Sequence, residues 1–321
     1  MEVRGQIDNR LTGIALAVPN TGYVGTQLAP NVDVGARKFK WRRFATNDAF
    51  AVPDDRIGEY GRAREVNFAS ELLDGSTSGK GLKAPVAQTE LDDAANGTGP
   101  KDPTGTKTMK LTMQRDNAHE ARVATFYTTA GNYADGYKPD LSADSGAAQW
   151  DQADQDILGQ LDDAIRGMLV RPNTFWMGSA VWSAVARSSQ LIATVYPGGG
   201  NAATGGLISL EALTTALRAL GIQRIVVGDA RYNTAKMGQN RSLSAFFGKH
   251  AGLCRLDDQL VDMDPVEPVF CANATTGMRT VRTWEDQDMG TGGGIWVGVY
   301  DQDELVQFCQ QAGYLFQNAV Q

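Results

Sequence analysis

The sequence predicts an α+β fold, and three observations support this. Residues 107–130 contain no Gly or Pro, which predicts one long helix. Between residues 150 and 260 apolar helical patterns alternate with short buried strands, and beyond residue 260 the pattern becomes rich in strands. The alternating part indicates α/β layering, but it is too short to form a full doubly wound sheet.

Composition excludes several classes of protein. The chain has 321 residues with 30 Lys and Arg against 37 Asp and Glu, a net charge of −7, which argues against a basic nucleic-acid binder and against adhesion to anionic membranes. Hydrophobic residues make up 42% of the chain, an ordinary globular value that argues against wholesale disorder. The cysteines Cys254, Cys271 and Cys309 are few and far apart, so we expect no disulfide framework. No leader or membrane-span pattern occurs, and we expect the protein to be made and kept in the cytosol.

Residues 1–35 predict an extended arm. Gly and Pro interrupt the segment repeatedly, and a short apolar alternation contains Ile14, Leu16 and Val18. The segment is too apolar for a solvated tail and too interrupted for a helix. We therefore expect it to lie on another surface, with these three side chains in an inter-subunit contact.

The next segment predicts a long hairpin. Aromatic and basic residues alternate with the period of a two-faced strand, in the order Lys38, Phe39, Lys40, Trp41, Arg42, Arg43 and Phe44. A returning strand is expected around Val66, Phe68 and Leu72. Residues 37–65 carry eight basic and five acidic side chains, a net of +3, which predicts a basic loop on an acidic protein. Stacking on nucleic acid is one interpretation, but contact with an acidic neighbouring protein fits the overall charge better.

Residues 73–104 are rich in Gly, Ser, Thr, Asp and Pro. Thr104 or Thr106 is expected to cap the long helix that follows. The apolar residues of that helix recur at helical spacings on one side, although residues 116–120 interrupt them, and we expect the helix to be mostly exposed. These apolar positions are Met109, Met113, Val123, Phe126 and Tyr127.

The second half predicts alternating elements. Helices are expected at residues 157–169, 180–191 and 207–220, with buried strands at 174–177 and 225–227 and a late strand at 294–300. Residues 251–321 hold three Arg and eleven acidic residues, so this segment carries −8.

Chemical motifs are weak throughout. Residues 75–81 resemble a phosphate-binding loop, but the spacing is one residue short and Gly81 replaces the required Ser or Thr, so a flexible loop is preferred. Residues 290–294 precede a strand and predict a turn. His119 and His250 are isolated, and the acid pairs Asp92/Asp93, Asp257/Asp258 and Asp262/Asp264 lack calcium-loop spacing. We therefore expect no catalytic residues, no cofactor and no metal site.

The second half resembles the tailed-bacteriophage major capsid proteins. The similarity begins with Arg-Pro-Asn-Thr-Phe-Trp-Met-Gly at residues 171–178 and continues in order over about 150 residues. The segments that carry it are residues 171–178, 181–182, 220–222, 226–235, 247–249, 286–299 and 312–315.

The resemblance implies the Hong Kong phage-type coat fold. Its parts would be an N-terminal arm at 1–35, an E-loop hairpin at 36–72, a P-domain at 73–150 with its spine helix at 106–130, an A-domain at 151–262, and strands at 263–321 that return to the P-domain and A-domain. The implied function is self-assembly into the icosahedral head shell that encloses double-stranded DNA. The E-loop of some relatives carries a cross-linking lysine, whereas residues 45–63 contain none, so we expect no such crosslink.

The resemblance also implies partners. Hexamers and pentamers with head-to-tail contacts would form the shell, and a separate scaffolding protein and a portal are expected, with a decoration protein as a further partner. The acidic balance suits a container that encloses DNA without binding it tightly. Assembly in the host bacterial cytoplasm and residence in the virion follow from this function, and no membrane is involved.

Two alternatives stay open at this stage. An encapsulin-like nanocompartment shell would share the fold, but it would be expected to carry an N-terminal cargo-docking helix, which residues 1–35 do not predict. A cytosolic hydrolase that uses an acidic loop pair would form a small oligomer with a substrate pocket. Electron microscopy of the purified protein would separate particles from small oligomers.

Overall fold

The protein is described from a computed structural model. The structure describes residues 6–17, 22–44, 50, 52, 55–57, 61–63, 65, 71–143, 148–152, 155–196, 206–235, 239–290 and 292–321.

Helices and strands are intermixed along the chain. The helices are α1 Asn9–Ala17, α2 Gly25–Leu28, α3 Gln88–Ala95, α4 Pro103–Thr128, α5 Ile157–Gly167, α6 Ser179–Val185, α7 Ser189–Val195 and α8 Leu210–Leu217. The strands are β1 Gln6–Ile7, β2 Asn31–Asp33, β3 Lys38–Arg43, β4 Glu71–Ser76, β5 Ser78–Ala87, β6 Thr174–Gly178, β7 Arg224–Gly228, β8 Arg231–Asn233, β9 Leu243–Ala245, β10 Ala251–Cys254, β11 Cys271–Thr275, β12 Thr280–Asp286, β13 Gly294–Gln307 and β14 Gly313–Phe316.

The larger sheet is built around β13. Among the described residues it has the order β1-β12-β13-β11-β2, and β5 also pairs with β13 over ten residues. Side chains alternate between the two faces of these strands. Val86, Val281, Val297 and Val299 point to the face covered by α1 and α4, and all four are buried.

The long helix α4 confirms the prediction of one helix here, and its 26 residues span about 39 Å. Its cap was predicted wrongly. Asp102, not Thr104 or Thr106, accepts the backbone N–H of Gly105 at 2.9 Å, and Pro103 occupies the first turn.

The buried face of α4 was predicted only in part: Val123 and Tyr127 are buried as expected, but the expectation of a mostly exposed helix is wrong. The helix is embedded along one side through ten buried residues, whereas Met109 and Met113 are exposed at 48% and 52%. The charged stretch at residues 116–120, which the pattern treated as an interruption, lies against the sheet and the arm.

The second sheet carries the predicted α/β layering. Its order among the described residues is β14-β10-β6-β7, with β6 and β7 parallel. Apolar side chains of α5, α6, α7 and α8 pack on it in one buried cluster. The predicted helix at 180–191 is divided into α6 and α7.

The segment rich in Gly, Ser, Thr, Asp and Pro contains regular elements. Residues 78–87 form β5 and residues 88–95 form α3. The glycines here allow close packing: a Cβ added at Gly81 would overlap the ring of Tyr300 on β13. The flexible loop preferred for residues 75–81 is wrong as well, because all of these residues except Thr77 belong to β4 and β5.

The predicted extended arm is wrong as well. Residues 9–17 form α1, whose start is capped by Asp8 through a 3.0 Å bond from the Leu11 backbone N–H. Leu11 and Ala15 are buried against the larger sheet. The argument that residues 1–35 contain no helix therefore no longer counts against an encapsulin-like shell.

Candidate intersubunit surfaces

The predicted hairpin begins as a two-stranded sheet. β3 pairs antiparallel with β4 from Lys38 opposite Ser76 to Arg43 opposite Glu71. The returning strand therefore lies at residues 71–76, further along the chain than predicted; Leu72 belongs to it, and Val66 and Phe68 lie outside the described residues. The register places Phe39 over Gly75, where an added Cβ would lie 2.6 Å from the Phe39 ring.

The aromatic face of β3 packs on its own subunit. The Trp41 ring makes an edge contact with Phe308, with centroids 5.9 Å apart. Phe39 and Trp41 both border a buried cluster that includes Val32 and Val306. The alternation correctly predicted one packed face and one charged face, but at the base of the hairpin the packed face is buried within the same chain.

The charged residues of β3 are partly paired. Arg42 lies 3.5 Å from Asp264 and Arg43 lies 3.3 Å from Glu71, and all four side chains are about half exposed or more. Such exposed pairs contribute about 0–1 kcal/mol. Lys38 and Lys40 are exposed and point away from the packed face.

Main-chain bonds fix the base of the hairpin to the body. The Arg42 N–H donates to the Met263 carbonyl at 3.2 Å, and the Phe44 N–H donates to the Phe308 carbonyl at 3.1 Å. Phe44 also packs against the edge of a buried cluster that contains Tyr127, Trp176 and Phe270. The segment beyond Phe44 starts from this fixed base.

The strand bounds change the interpretation of the hairpin charge. Five of the eight basic residues counted in 37–65 lie between residues 37 and 43, that is, at the base. Residues 45–65 carry three Arg and five acidic side chains, a net of −2. The loop is therefore acidic, and the prediction of a basic loop is wrong: the base of the hairpin is basic.

Apolar side chains of the loop are exposed where the structure describes them. Phe50, Val52 and Ile57 have exposed fractions of 51%, 96% and 57%. Their burial requires another surface.

In the arm, the three predicted contact residues differ in environment. Ile14 is half-buried beside Leu11 and Ala15, Leu16 is 55% exposed, and Val18 lies outside the described residues. Leu16 is thus the described member of this set that another subunit could bury.

A buried charge network ties α4 to the sheet, and sequence reasoning missed it. Asp303 on β13 lies 2.9 Å from Arg122 and 3.0 Å from Lys80, and only 7% of its side chain is exposed. Burial opposes ionisation of Asp303, yet the hydrogen bond from His119 and the charges of Arg122 and Lys80 hold its pKa well below the usual range.

The same network continues along β13. Arg115, whose side chain is 5% exposed, pairs with Asp301, and Arg279 bridges Asp301 and Asp116. The signal in the sequence was the cluster of charges at three- and four-residue spacings within the long helix.

Glu120 ties α4 to the arm. Its carboxylate accepts the backbone N–H groups of Val24 at 3.1 Å and Gly25 at 2.7 Å. Burial raises the pKa of Glu120, although these two backbone bonds oppose the shift. The long helix therefore holds both the sheet and the arm segment around α2.

Chemical sites are not prominent in the described part of the chain. It contains no group of three or more His, Cys, Asp or Glu side chains arranged to hold a metal ion. Asp258 and Asp264, from two of the acid pairs, form ion pairs with Arg224 and Arg42. Burial raises the pKa of the Cys254 thiol well above its usual value and that of Cys271 to about 12, so neither thiol is a ready nucleophile. No described helix is long and apolar enough to cross a membrane.

Comparisons with known proteins address the whole chain. No family model matches it. The chain is 29% identical over 314 residues to the major capsid protein of Pseudomonas phage JBD67, and the alignment covers 98% of this chain and 97% of that protein. The crystal structure of a phage-related protein from Bordetella bronchiseptica superposes with a TM-score of 0.72 at 20% identity, covering 99% of both chains. The capsid structure of cyanophage P-SCSP1u matches with a TM-score of 0.56 at 10% identity, covering 99% of this chain and 92% of that one.

The chain has a phage capsid fold. The similarity to the major capsid protein of phage JBD67 extends over the first half as well, where the sequence motifs were weakest. The hairpin, the long helix and the α/β segment of this capsid fold follow one another in the expected order. The domain boundaries and the contact residues of the arm and hairpin stay predictions.

Proposed function

We propose that this chain is the major capsid protein of a tailed bacteriophage and that many copies assemble into the icosahedral head shell around double-stranded DNA. The observation that carries this proposal is the similarity to a phage major capsid protein over nearly the full length of both chains. The capsid fold of the described residues supports it independently of sequence identity.

In this proposal the subunit acts through its surfaces and performs no catalysis. Hexamers and pentamers form through head-to-tail contacts between identical copies. Many weak contacts summed over a shell become collectively strong while each stays reversible during assembly.

The hairpin and the arm supply part of these contacts. The base of the hairpin is buried on its own subunit, and the exposed side chains of Phe50, Val52 and Ile57 are the part left for a neighbour. In the arm, Leu16 has the same property.

Further partners follow from the same function. We expect a separate scaffolding protein and a portal, with a decoration protein as an additional partner. The subunit assembles in the host bacterial cytoplasm and resides in the virion. Its net charge of −7 would weaken any grip on packaged DNA.

Electron microscopy of the purified protein tests the proposal. Closed shells or capsomers are expected, alone or after co-expression with the phage's other head genes. Small oligomers in both preparations, together with hydrolytic activity, would contradict it and favour the hydrolase alternative. Shells that enclose an enzyme in place of DNA would favour the encapsulin-like alternative.

A further inference from the structure

Residues 317–321 follow β14 and are bonded on two sides; we call them the strap. On one side the Trp150 backbone N–H donates to the Ala319 carbonyl at 2.7 Å. On the other side the Ala319 N–H donates to the Lys249 carbonyl at 2.8 Å. The strap therefore lies as a middle layer between two segments that are remote from each other in the sequence.

The strap closes one edge of the apolar core beside the second sheet. Ala319 and Val320 are buried in the cluster that also contains Trp150 and Phe316. Val320 also borders an open cleft of about 530 Å³, which Arg187 lines as well. Release of the strap toward this cleft would expose the edge of the core.

His250 holds the middle of the strap. Its Nδ1 atom accepts the backbone N–H of Asn318 at 3.2 Å, which requires the neutral ring with its proton on Nε2. A protonated imidazole carries N–H groups on both nitrogens and cannot accept this bond. Because the His250 side chain is only half-buried, a proton from solvent can reach it without unfolding of the chain.

Asn318 has a backbone conformation that depends on its contacts. Its φ of 49° lies in the left-handed region, and it is the one described non-glycine residue with a positive φ. Its side-chain amide donates to Asp140 at 3.0 Å, and its carbonyl accepts the Gln149 amide at 3.0 Å. The bond to His250 is the contact of its N–H, so protonation of that ring removes one of the bonds that hold this conformation.

Few charged groups act on His250. The strap itself carries no charged side chain, and β6 meets His250 through Gly178, whose N–H donates to the His250 carbonyl at 3.0 Å. Lys249 is its exposed neighbour in sequence. Burial lowers the pKa of His250, and the Asp140 carboxylate opposes this shift without reversing it. Asp140 stays ionised in mild acid, because the Ser142 hydroxyl bonded to it holds its pKa below the usual value.

The direction of the pH effect follows from this shift. In an open strap, His250 is solvated and titrates near its ordinary pKa of about 6.5. The closed strap binds the proton less tightly, so its stability is fully present above about pH 6.5. It is lost as the pH falls from that value toward the lower pKa of the closed form.

We propose that His250 is a proton-operated latch, which holds the strap closed when it is neutral and releases residues 317–321 when it is protonated. The latch lies within one subunit and does not depend on assembly. In a shell it would act in every copy at once. The inference therefore adds a response to mild acid to the proposed function.

Amide hydrogen exchange of the full chain, corrected for the intrinsic pH dependence of the reaction, tests the latch. Between about pH 7.5 and about pH 5.5 the protection of the Asn318 and Ala319 amides should fall about tenfold, because the open strap binds one proton more tightly. The amides of β6, an inner strand of the second sheet, should keep their protection. An equal loss at both places would indicate global unfolding and would overturn the latch.

Two substitutions of His250 separate the bond from the proton. His250→Asn places an amide oxygen near the position of Nδ1 and cannot be protonated, so its strap should stay protected at both pH values. His250→Gln carries the same amide one carbon further out and should leave the strap weakly protected at both. An undiminished pH response in His250→Asn would overturn the inference.

The other histidine of the chain provides the matched control. His119→Asn should keep the pH response of the strap, whatever its effect on overall stability. Loss of the response in His119→Asn, with its persistence in His250→Asn, would assign the response to His119 and overturn the latch.

Failure of the latch and failure of the proposed function are separate results. A chain that forms particles but shows no pH response at the strap contradicts the latch alone. A chain that shows the response but forms neither particles nor capsomers contradicts the proposed function alone.

Discussion

The Glu120 carboxylate accepts a 2.7 Å hydrogen bond from the backbone N–H of Gly25, so the long helix α4 holds the arm segment at the start of α2. The Val24 N–H donates to the same carboxylate. All three groups are buried, and little water can replace these bonds.

Glu120→Ala should therefore destabilise the subunit by about 2–4 kcal/mol, because two buried N–H groups lose their acceptor. Glu120→Gln keeps one side-chain oxygen as an acceptor and should therefore lose less stability than Glu120→Ala. Urea unfolding measures the free energy of unfolding of each variant. Amide hydrogen exchange should become faster at Val24 and Gly25 first.

Gly25→Ala is an independent check on the same contact. An added Cβ would lie 2.8 Å from the Glu120 Oε2 atom and should displace the arm segment without touching the carboxylate chemistry. An unchanged rate of amide hydrogen exchange at Val24 in this variant would contradict the stabilising contact between Glu120 and the arm segment.

The network around Asp303 predicts a pH dependence of stability. Its pKa is depressed in the folded state, so its stabilising contribution is fully present above the unfolded value, about 3.9, and is lost as the pH falls below it. Asp303→Asn should cost about 3–5 kcal/mol at pH 7, because Arg122 and Lys80 lose their buried partner. It should also flatten the fall in stability between pH 5 and about 3.

Urea unfolding at several pH values measures this effect. The exposed Asp74 provides the control, since Asp74→Asn should leave both stability and its pH profile nearly unchanged. If the free energy of unfolding falls equally with decreasing pH in Asp303→Asn and in the unsubstituted chain, Asp303 is not the source of this pH dependence.

The long helix and the α/β segment were predictable because their signals are local. An uninterrupted run of helix-forming residues and short buried strands such as 174–178 need no distant partner to be recognised. The packed and charged faces of β3 were predictable for the same reason.

Other elements depend on distant parts of the chain. β5 consists largely of Gly, Ser, Lys and Ala and has weak strand propensity; it is a strand because all ten residues pair with β13 more than 200 positions away. Pro85 is tolerated because β13 is the only strand that β5 pairs with in the described part of the chain. The Asp303 network likewise joins residues that are remote in sequence: the charge spacing within α4 indicates its helical members, but no local pattern identifies Asp301 and Asp303 as their partners.

Packing of Tyr300 on β5 gives a third prediction. Gly81→Ala should destabilise the subunit by about 1–3 kcal/mol, because the new methyl group overlaps the Tyr300 ring. Gly79→Ala is the matched control on the same strand, as nothing lies within 4 Å of its added Cβ. Equal unfolding midpoints for the two variants would show that the ring moves aside without cost.

The hairpin composition predicts shells without an E-loop lysine crosslink. Residues 45–63 contain no lysine, and the nearest lysines are Lys40 at the base and Lys80 on β5. Particles boiled in detergent should give a single band at monomer mass. A ladder of higher bands would contradict this prediction.

Arg42 allows folding and assembly to be separated. Its ion pair with Asp264 is about half exposed on both sides and contributes only about 0–1 kcal/mol. Arg42→Glu should therefore leave the unfolding midpoint of the soluble subunit nearly unchanged while lowering particle yield, if the charged face of β3 meets an acidic neighbour. Trp41→Ala should also impair assembly, but its edge contact with Phe308 means that it destabilises the hairpin base as well.

Asp264→Asn distinguishes the two roles of Arg42. It removes the same intramolecular ion pair and leaves the cation in place. If the ion pair within the subunit is what assembly requires, both variants should lose particles equally. Loss with Arg42→Glu alone, measured by sedimentation and electron microscopy, would assign the cation to a neighbouring subunit, whereas normal particles from both Arg42→Glu and Trp41→Ala would refute a role for the hairpin base in assembly.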